Sequence, residues 1–168
     1  IIHQIKEETG LNIEIIDGKE EAAIIYANHI EKLIDHKQAY LYVDVGGGST
    51  EITYFKNGTV ADSRSFNIGT IRILNDMVNT SKWEDLHAWL DDILKGQHVQ
   101  LIGSGGNINK VAKISKKDPK EPLSFDYIKG YYDTLKSYTY EERVLKLDLN
   151  PDRADVIIPA MKIFVNIM

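Results

Sequence analysis

The chain has 168 residues, of which 43% are hydrophobic and 27% are charged, and this composition is ordinary for one globular domain with a sizeable core. Its net charge of −5 argues against broad binding to nucleic acids or to anionic membranes. It has no cysteine, which excludes a disulfide framework, a thiolate nucleophile and cysteine-ligated zinc, and no apolar run approaches the ~20 residues that span a membrane.

The residue pattern predicts an α/β fold in which helices flank a mixed sheet of about five strands. The chain opens in an amphipathic helix that stops at Gly10, and a strand and a further helix follow. Three consecutive strands with short connections then predict an antiparallel meander. In chain order the predicted strands are Asn12–Ile16, Gln38–Val45, Thr50–Lys56, Thr59–Ser65 and His98–Ile102, and the predicted helices are Lys19–Ile34, Ile68–Met77, Ser81–Leu94, Asn107–Ser115, Ser124–Leu135, Thr139–Leu147 and one from Pro151 onward.

Capping patterns predict where two of these helices begin. Ser81 with Glu84, and Thr139 with Glu142, have the spacing of a capping box, in which each side chain satisfies a free N–H group of the first turn. We therefore expect helices to begin directly after Ser81 and Thr139.

The most informative stretch is the Asp-Val-Gly-Gly-Gly-Ser-Thr-Glu run from Asp44 to Glu51, which directly follows an apolar strand. Three consecutive glycines let the backbone turn where a Cβ atom would clash, and they let N–H groups approach a ligand closely. Successive N–H groups in such a turn suit an anion. The flanking acids suit a divalent cation that bridges carboxylate and phosphate. The run therefore predicts phosphoryl chemistry.

This loop is not a P-loop. It lacks the Gly-Lys-Ser/Thr sequence, and strand residues follow it where a P-loop would begin a helix. An Asn-Gly pair at positions 57 and 58 predicts a hairpin between the next two strands. The alternative is a glycine-rich hairpin turn with incidental acids.

The same residues resemble a phosphate motif of the exopolyphosphatase/guanosine pentaphosphatase (Ppx/GppA) family. That family belongs to the wider actin/hexokinase/Hsp70-like superfamily, so the resemblance implies a ribonuclease H-like lobe with a mixed sheet flanked by helices. Four further segments are similar to family segments in the same order: Ile13–Ala22 with its Glu-Glu-Ala ending, Ser65–Arg72, Leu101–Asn107 and Asn150–Asp155.

One large part of the family pattern has no counterpart in this sequence. Members of the family begin with a lobe that carries an Asp-x-Gly-Ser-Asn-Ser loop and a later Thr/Ser-x-x-x-Arg segment. We therefore expect residues 1–168 to form a single domain, the excised second lobe of a two-lobe phosphohydrolase whose N-terminal lobe is absent. We also expect little or no hydrolase activity from this chain alone, because catalysis of this kind depends on positioning.

The resemblance also implies roles for individual residues. Glu21 takes the place of the family's proposed catalytic base, and Glu51 is the next candidate. Asp44 and Glu51 match carboxylates associated with a metal, which we expect to be Mg2+, and with water. The expected phosphate-binding residues are Gly46, Gly47, Gly48, Ser49 and Arg153.

Each assignment has a structural alternative. Glu21 could simply complement the dipole of a helix N-terminus, Glu51 could be a solvent-facing strand residue, and Asp44 could cap a turn. Arg153 could form an ion pair with a neighbouring aspartate, either Asp152 or Asp155.

The leading functional hypothesis is a cytoplasmic magnesium-dependent phosphohydrolase that releases terminal phosphate from inorganic polyphosphate or guanosine pentaphosphate (pppGpp). Its partners would be that substrate and its own N-terminal lobe, with no nucleic acid and no membrane, and a homodimer is left open. The alternatives are an ATP-dependent small-molecule kinase lobe of the same superfamily and a non-catalytic module that senses phosphate ligands. The Glu-Glu-Ala segment favours the hydrolase.

Other candidates are weaker. Arg64 and Arg72 are further candidates for phosphate contacts, because the guanidinium fork suits phosphate oxygens.

The second glycine loop, Gly103–Gly106, lacks the third glycine of a dinucleotide fingerprint, since Ile108 stands at that position. It either lines the substrate channel or allows close helix–strand packing. The basic run at Lys110, Lys113, Lys116 and Lys117 is typical of a solvated helix face, and the five histidines lack metal-ligand spacing.

Overall fold

A computed structural model describes residues 1–14, 16, 35–118 and 121–168. In this part of the chain, helices pack on a four-stranded sheet of order β3-β2-β1-β4. The strands are β1 (Tyr40–Val45), β2 (Thr50–Lys56), β3 (Thr59–Phe66) and β4 (Gln100–Ser104), and the helices are α1 (Ile2–Thr9), α2 (Thr70–Leu74), α3 (Thr80–Leu94), α4 (Gly106–Ser115), α5 (Phe125–Ser137), α6 (Tyr140–Leu147) and α7 (Pro151–Ile167).

The strand pairing confirms a mixed sheet with an antiparallel meander. β1 pairs antiparallel with β2, and β2 pairs antiparallel with β3. β4 joins the other side of β1 in parallel. Because β1 and β4 run the same way, the loops that follow them lie at the same edge of the sheet.

One face of the sheet forms the main core. The register places Leu41 opposite Tyr54 and Val43 opposite Ile52, and all four side chains are buried. Helices α3 and α7 cover this face with buried aliphatic and aromatic residues, among them Leu86 and Phe164. Side chains alternate between the faces of a strand, so Tyr40, Tyr42 and Asp44 lie on the opposite face.

A second core links the helices that follow β4. Helix α7 contributes buried residues to both cores, and its proline, Pro159, is buried within an uninterrupted helical span. The second core consists of Val111, Ile128, Leu135, Leu149, Ala154, Ile157 and Met161.

The predicted capping boxes have different outcomes. The Thr139–Glu142 box is present in both directions at the start of α6. The prediction of a Ser81–Glu84 box is wrong, because Asn79 caps α3 by accepting a hydrogen bond from the Lys82 N–H group. Ser81 instead donates its hydroxyl proton to the Asn79 side chain over 2.9 Å.

Two other predictions also differ from the structure. No strand forms over residues 12–14 or at Ile16, where Ile13 is 43% exposed and so does not supply the buried face that a strand of the sheet would need. The helix predicted over Ile68–Met77 is limited to α2, since Gly69 is its N-cap and Asn75 its C-cap. The helix predicted over Lys19–Ile34 lies outside the described residues.

Candidate functional site

A row of polar side chains crosses all four strands at the edge of the sheet where β1 ends. The pairing register aligns Ser104, Asp44, Glu51 and Ser65, in that order across β4, β1, β2 and β3. Residues aligned in this way across neighbouring strands share one face of the sheet. The two predicted carboxylates are therefore direct cross-strand neighbours.

The environment of Asp44 opposes its charged form. Burial raises the pKa of Asp44, and the nearby charge of Glu51 raises it further. Hydrogen bonds from the Ser104 side chain and the Val45 backbone act in the opposite direction but do not cancel the rise. A cation between the two carboxylates would relieve this repulsion.

Glu51 is held from two sides by hydroxyl groups. The Ser49 hydroxyl donates to Glu51 Oε1 over 2.6 Å, and the Ser65 hydroxyl donates to the same oxygen over 3.0 Å. Sequence reasoning assigned Ser49 to phosphate and gave no part to Ser65 or Ser104. The signal for these two serines is the strand register, since each lies directly opposite an acid.

The start of α2 holds the glycine loop by its carbonyl groups. Backbone and side-chain donors of α2 reach three successive loop carbonyls. The Thr70 N–H donates to the Gly46 carbonyl over 3.0 Å, and the Ile71 N–H donates to the Gly47 carbonyl over 2.9 Å. The Arg72 Nε donates to the Gly48 carbonyl over 2.6 Å.

These bonds determine where the N–H groups of the loop point. In a trans peptide the carbonyl and the following N–H point in opposite directions, and the described residues contain no cis peptide. The N–H groups of Gly47, Gly48 and Ser49 therefore point away from α2. Within the described part of the chain, none of the three donates to a protein acceptor. The Gly46 N–H is instead bonded to the Ser49 carbonyl, which closes the loop.

Close backbone contact explains one glycine outside the run. A Cβ atom on Gly69 would lie 2.4 Å from the Gly47 carbonyl oxygen, so only glycine lets α2 approach the loop this closely. The glycines of the run do not have left-handed backbone angles. A Cβ atom on Gly46 would nevertheless lie 3.2 Å from the Ser49 carbonyl oxygen, and one on Gly47 would lie 3.2 Å from the Ile71 side chain, so the turn is tight at both positions. A Cβ on Gly48 would meet nothing within 4 Å, so this position is open to a ligand.

The second glycine loop and Arg153 lie beside the acid row. A Cβ atom built on Gly105 would be 3.6 Å from Asp44 Oδ1, and one on Gly106 would be 2.7 Å from Arg153 Nη2. Arg153 forms no ion pair with Asp152 or Asp155, and its guanidinium has no protein acceptor among the described residues. Its guanidinium therefore lies against the second glycine loop and is available to an anion there.

The other basic candidates have different positions. Arg64 lies opposite Ile52, on the face away from Glu51, where it contacts Asp85 at 2.7 Å and packs over the Phe66 ring. It is therefore not part of the acid row. On α4, Lys110 donates to the Asp148 carbonyl over 2.9 Å.

The described residues meet part of what a divalent cation requires. Asp44 and Glu51 supply hard oxygen ligands of the kind that Mg2+ prefers, and their mutual repulsion fits a bound positive charge. Among the described residues no group of three or more acidic or histidine side chains could hold a metal ion. Glu21, the predicted base, lies outside the described residues.

A cavity of about 520 Å3 lies elsewhere, between β4 and the helices around it. Its lining mixes apolar residues such as Leu101 and Phe164 with polar residues such as Gln97, and it includes Gly103 of the second glycine loop. Neither the glycine run from Asp44 to Glu51 nor Arg153 lines it. None of the described helices is long and apolar enough to cross a membrane.

Comparison with protein-family models matches the whole chain, residues 1–168, to the Ppx/GppA phosphatase family. A bifunctional 3-dehydroquinate synthase/phosphatase of Fusobacterium nucleatum is 29% identical over 94% of this chain and 27% of its own length. A putative exopolyphosphatase of Haemophilus influenzae is 27% identical over 90% of this chain and 51% of its own length.

Solved structures show the same similarity. A Ppx/GppA family member of Aquifex aeolicus superimposes with a TM-score of 0.72 at 26% identity, covering 98% of this chain and 59% of the other. An exopolyphosphatase of Cytophaga hutchinsonii has a TM-score of 0.71 at 21% identity, covering 99% of this chain and 61% of the other, and it supports the fold alone. These neighbours have the actin-like ATPase fold, as expected. The chain thus spans between about a quarter and three fifths of the length of the proteins it matches.

Proposed function

This chain belongs to the Ppx/GppA phosphatase family, and we propose on that basis that it carries one side of a phosphohydrolase site. The proposed reaction is release of the terminal phosphate from inorganic polyphosphate or pppGpp. The relatives it matches are longer, so the activity is proposed for a protein of their length, in which this chain is the second lobe.

One observation carries the proposal. The unpartnered N–H groups of Gly47, Gly48 and Ser49 lie in the loop that joins two strands, and the acids Asp44 and Glu51 face each other across those strands. Anion donors and cation ligands therefore occur side by side. This combination suits a metal-bridged phosphate and is unusual for a plain hairpin turn.

Each group has a proposed part in the reaction. The loop N–H groups and Arg153 bind phosphate oxygens, and they stabilise the charge that develops as the terminal phosphate leaves. Asp44 and Glu51 would hold Mg2+, which neutralises charge on phosphate oxygens when it is bound. Glu21 remains the proposed base that takes a proton from the attacking water, and Glu51 is the next candidate.

Phosphate release from polyphosphate and from pppGpp, with Mg2+ present, tests the proposal. Two proteins are compared: this chain, and a longer form that restores the length of its relatives. We expect turnover by the longer form and a loss of many powers of ten for this chain, because in the proposed two-lobe arrangement this chain would supply only one side of the phosphate clamp. Comparable turnover by the two would contradict the division into two lobes.

Two variants of the longer form assign the roles. Glu21→Gln should abolish turnover and leave substrate binding largely intact, whereas retained turnover would move the base to Glu51. Glu84→Gln, which changes an exposed carboxylate on α3, is the matched control and should turn over like the unchanged protein.

A further inference from the structure

Arg72 is the side chain that holds the glycine loop from outside. It lies in the middle of α2 and is partly buried. Its Nε donates to the Gly48 carbonyl over 2.6 Å. Arg72 forms no ion pair with any carboxylate among the described residues, because each ion pair found there involves a different basic side chain.

The three loop carbonyls are not held in the same way. Backbone N–H groups of Thr70 and Ile71 bind the carbonyls of Gly46 and Gly47, so these two bonds persist whatever the side chains are. The Gly48 carbonyl is bound by the Arg72 side chain. Among the described residues no backbone N–H group of α2 reaches this third carbonyl.

The peptide that Arg72 holds is the one that presents the Ser49 N–H. The Gly48 carbonyl and the Ser49 N–H belong to one trans peptide and point in opposite directions. Glycine on one side of this peptide leaves its rotation weakly restrained. The Arg72 bond therefore fixes the direction of the last N–H group of the loop.

We propose that Arg72 is a positioning residue that aims the Ser49 N–H at the bound phosphate by holding the Gly48 carbonyl. This role rests on the proposed function, because it assumes that an anion binds the loop. It differs from the direct phosphate contact suggested by the sequence, since Arg72 acts here through the peptide.

The two roles predict different responses when the anion is saturating. If Arg72 contacts phosphate directly, its loss weakens affinity but leaves the bound geometry of all three N–H groups intact. If Arg72 acts through the peptide, its loss removes the change that anion binding causes at the Ser49 N–H. The Gly47 N–H should still respond to the anion, because the Thr70 bond to the Gly46 carbonyl fixes its peptide. The pattern at saturation decides between them, and the affinity alone does not.

The experiment is a titration of the 15N-labelled 168-residue chain with inorganic tripolyphosphate and Mg2+, followed through the amide signals of Gly47, Gly48 and Ser49. In the unchanged chain all three signals should shift. In Arg72→Met the dissociation constant for tripolyphosphate should rise about tenfold, as expected when the Ser49 N–H no longer donates to the anion. At saturation the Ser49 shift should be lost and the Gly47 shift should remain.

Two further variants serve as a conservative replacement and as a control. Arg72→Lys retains a cationic donor that can reach the Gly48 carbonyl, so it should recover part of the Ser49 shift and remains informative if Arg72→Met does not fold. Arg64→Met removes an arginine from the other face of the sheet, where it pairs with Asp85, and should leave all three shifts unchanged.

Two outcomes would overturn the role of Arg72. Full shifts of all three amides in saturated Arg72→Met, with weaker affinity, would show direct contact. Absence of any shift in the unchanged chain would show that the loop does not bind phosphate, which is the distinct failure of the proposed function itself.

Discussion

At the scale of single residues, the acid row brings like charges together in the folded state. Asp44 and Glu51 lie opposite each other, and burial together with this repulsion raises the pKa of Asp44. An arrangement that opposes folding and is nevertheless present is typical of functional sites. Ser49 and Ser65 donate hydrogen bonds to Glu51, and the Ser104 side chain lowers the pKa of Asp44, so the three serines partly offset the repulsion.

Asp44→Asn should stabilise the metal-free chain at neutral pH. Because the pKa of Asp44 is raised in the folded state, its charged form destabilises the fold, and this penalty grows as pH rises from the ordinary aspartate range through the raised value. Thermal unfolding in EDTA at pH 7 should show a melting temperature higher by about 2 °C. The gain should shrink as pH falls toward the ordinary aspartate range, where the unchanged Asp44 takes up a proton. A lower melting temperature at pH 7 would contradict the stated environment of Asp44.

Ser65→Ala should weaken cation binding by the acid pair. The variant removes one of two hydroxyl donors to Glu51 Oε1, and a bond of this kind contributes about 1 kcal/mol, or roughly fivefold in affinity. Titration with Mn2+ followed by electron paramagnetic resonance measures the change. Ser63→Ala is the matched control, since Ser63 lies two residues along the same strand and bonds to Thr53. Equal effects of the two variants would remove Ser65 from the site.

At the scale of elements, α2 and the glycine loop form one unit. The short helix lies against α7 and packs Ile73 on the main core, and its first N–H groups bond to loop carbonyls in place of a side-chain cap. Gly69 makes the contact close enough for these bonds.

Gly69→Ala should therefore disrupt the loop and the fold together. The added methyl group would lie 2.4–2.5 Å from backbone atoms of Gly47 and Gly48, and backbone atoms cannot move aside as a flexible side chain can. We expect a loss of about 3 kcal/mol in unfolding free energy, measured by urea denaturation. Gly130→Ala is the control, because a methyl group there meets nothing within 4 Å. It lies inside helix α5 and should stabilise the chain by up to about 1 kcal/mol. A similar result for both variants would contradict the close contact at Gly69.

The sequence predicts those features that depend on neighbouring residues. The meander, the loop between β1 and β2 and the Thr139–Glu142 box follow from local patterns, and the structure confirms them. The parts played by Ser65 and Ser104 depend on the register between strands far apart in the chain, and β2–β3 includes a register shift between Tyr54 and Phe55. Such a register cannot be read from local pattern.

At the scale of the whole molecule, topology gathers the site from three parts of the chain. β1 and β4 run parallel, so the glycine loops after Val45 and Ser104 reach the same edge, and the antiparallel meander returns Glu51 and Ser65 to that edge. Helix α7 then places Arg153 against Gly106. Hydrophobic cores hold these elements below the edge, which leaves the polar row at the rim of the sheet.

The central claim is that the loop N–H groups and the acid pair form one site for a metal-bridged phosphate. Calorimetric titration with tripolyphosphate, with and without Mg2+, tests this claim most directly by comparing the unchanged chain with an Asp44→Asn, Glu51→Gln double variant. The account predicts that Mg2+ tightens binding to the unchanged chain by about tenfold or more, a coupling of at least about 1.4 kcal/mol. In the double variant Mg2+ should have no such effect, while metal-free binding should be equal or tighter because two negative charges are removed. A double variant that retains the full Mg2+ enhancement would contradict the account.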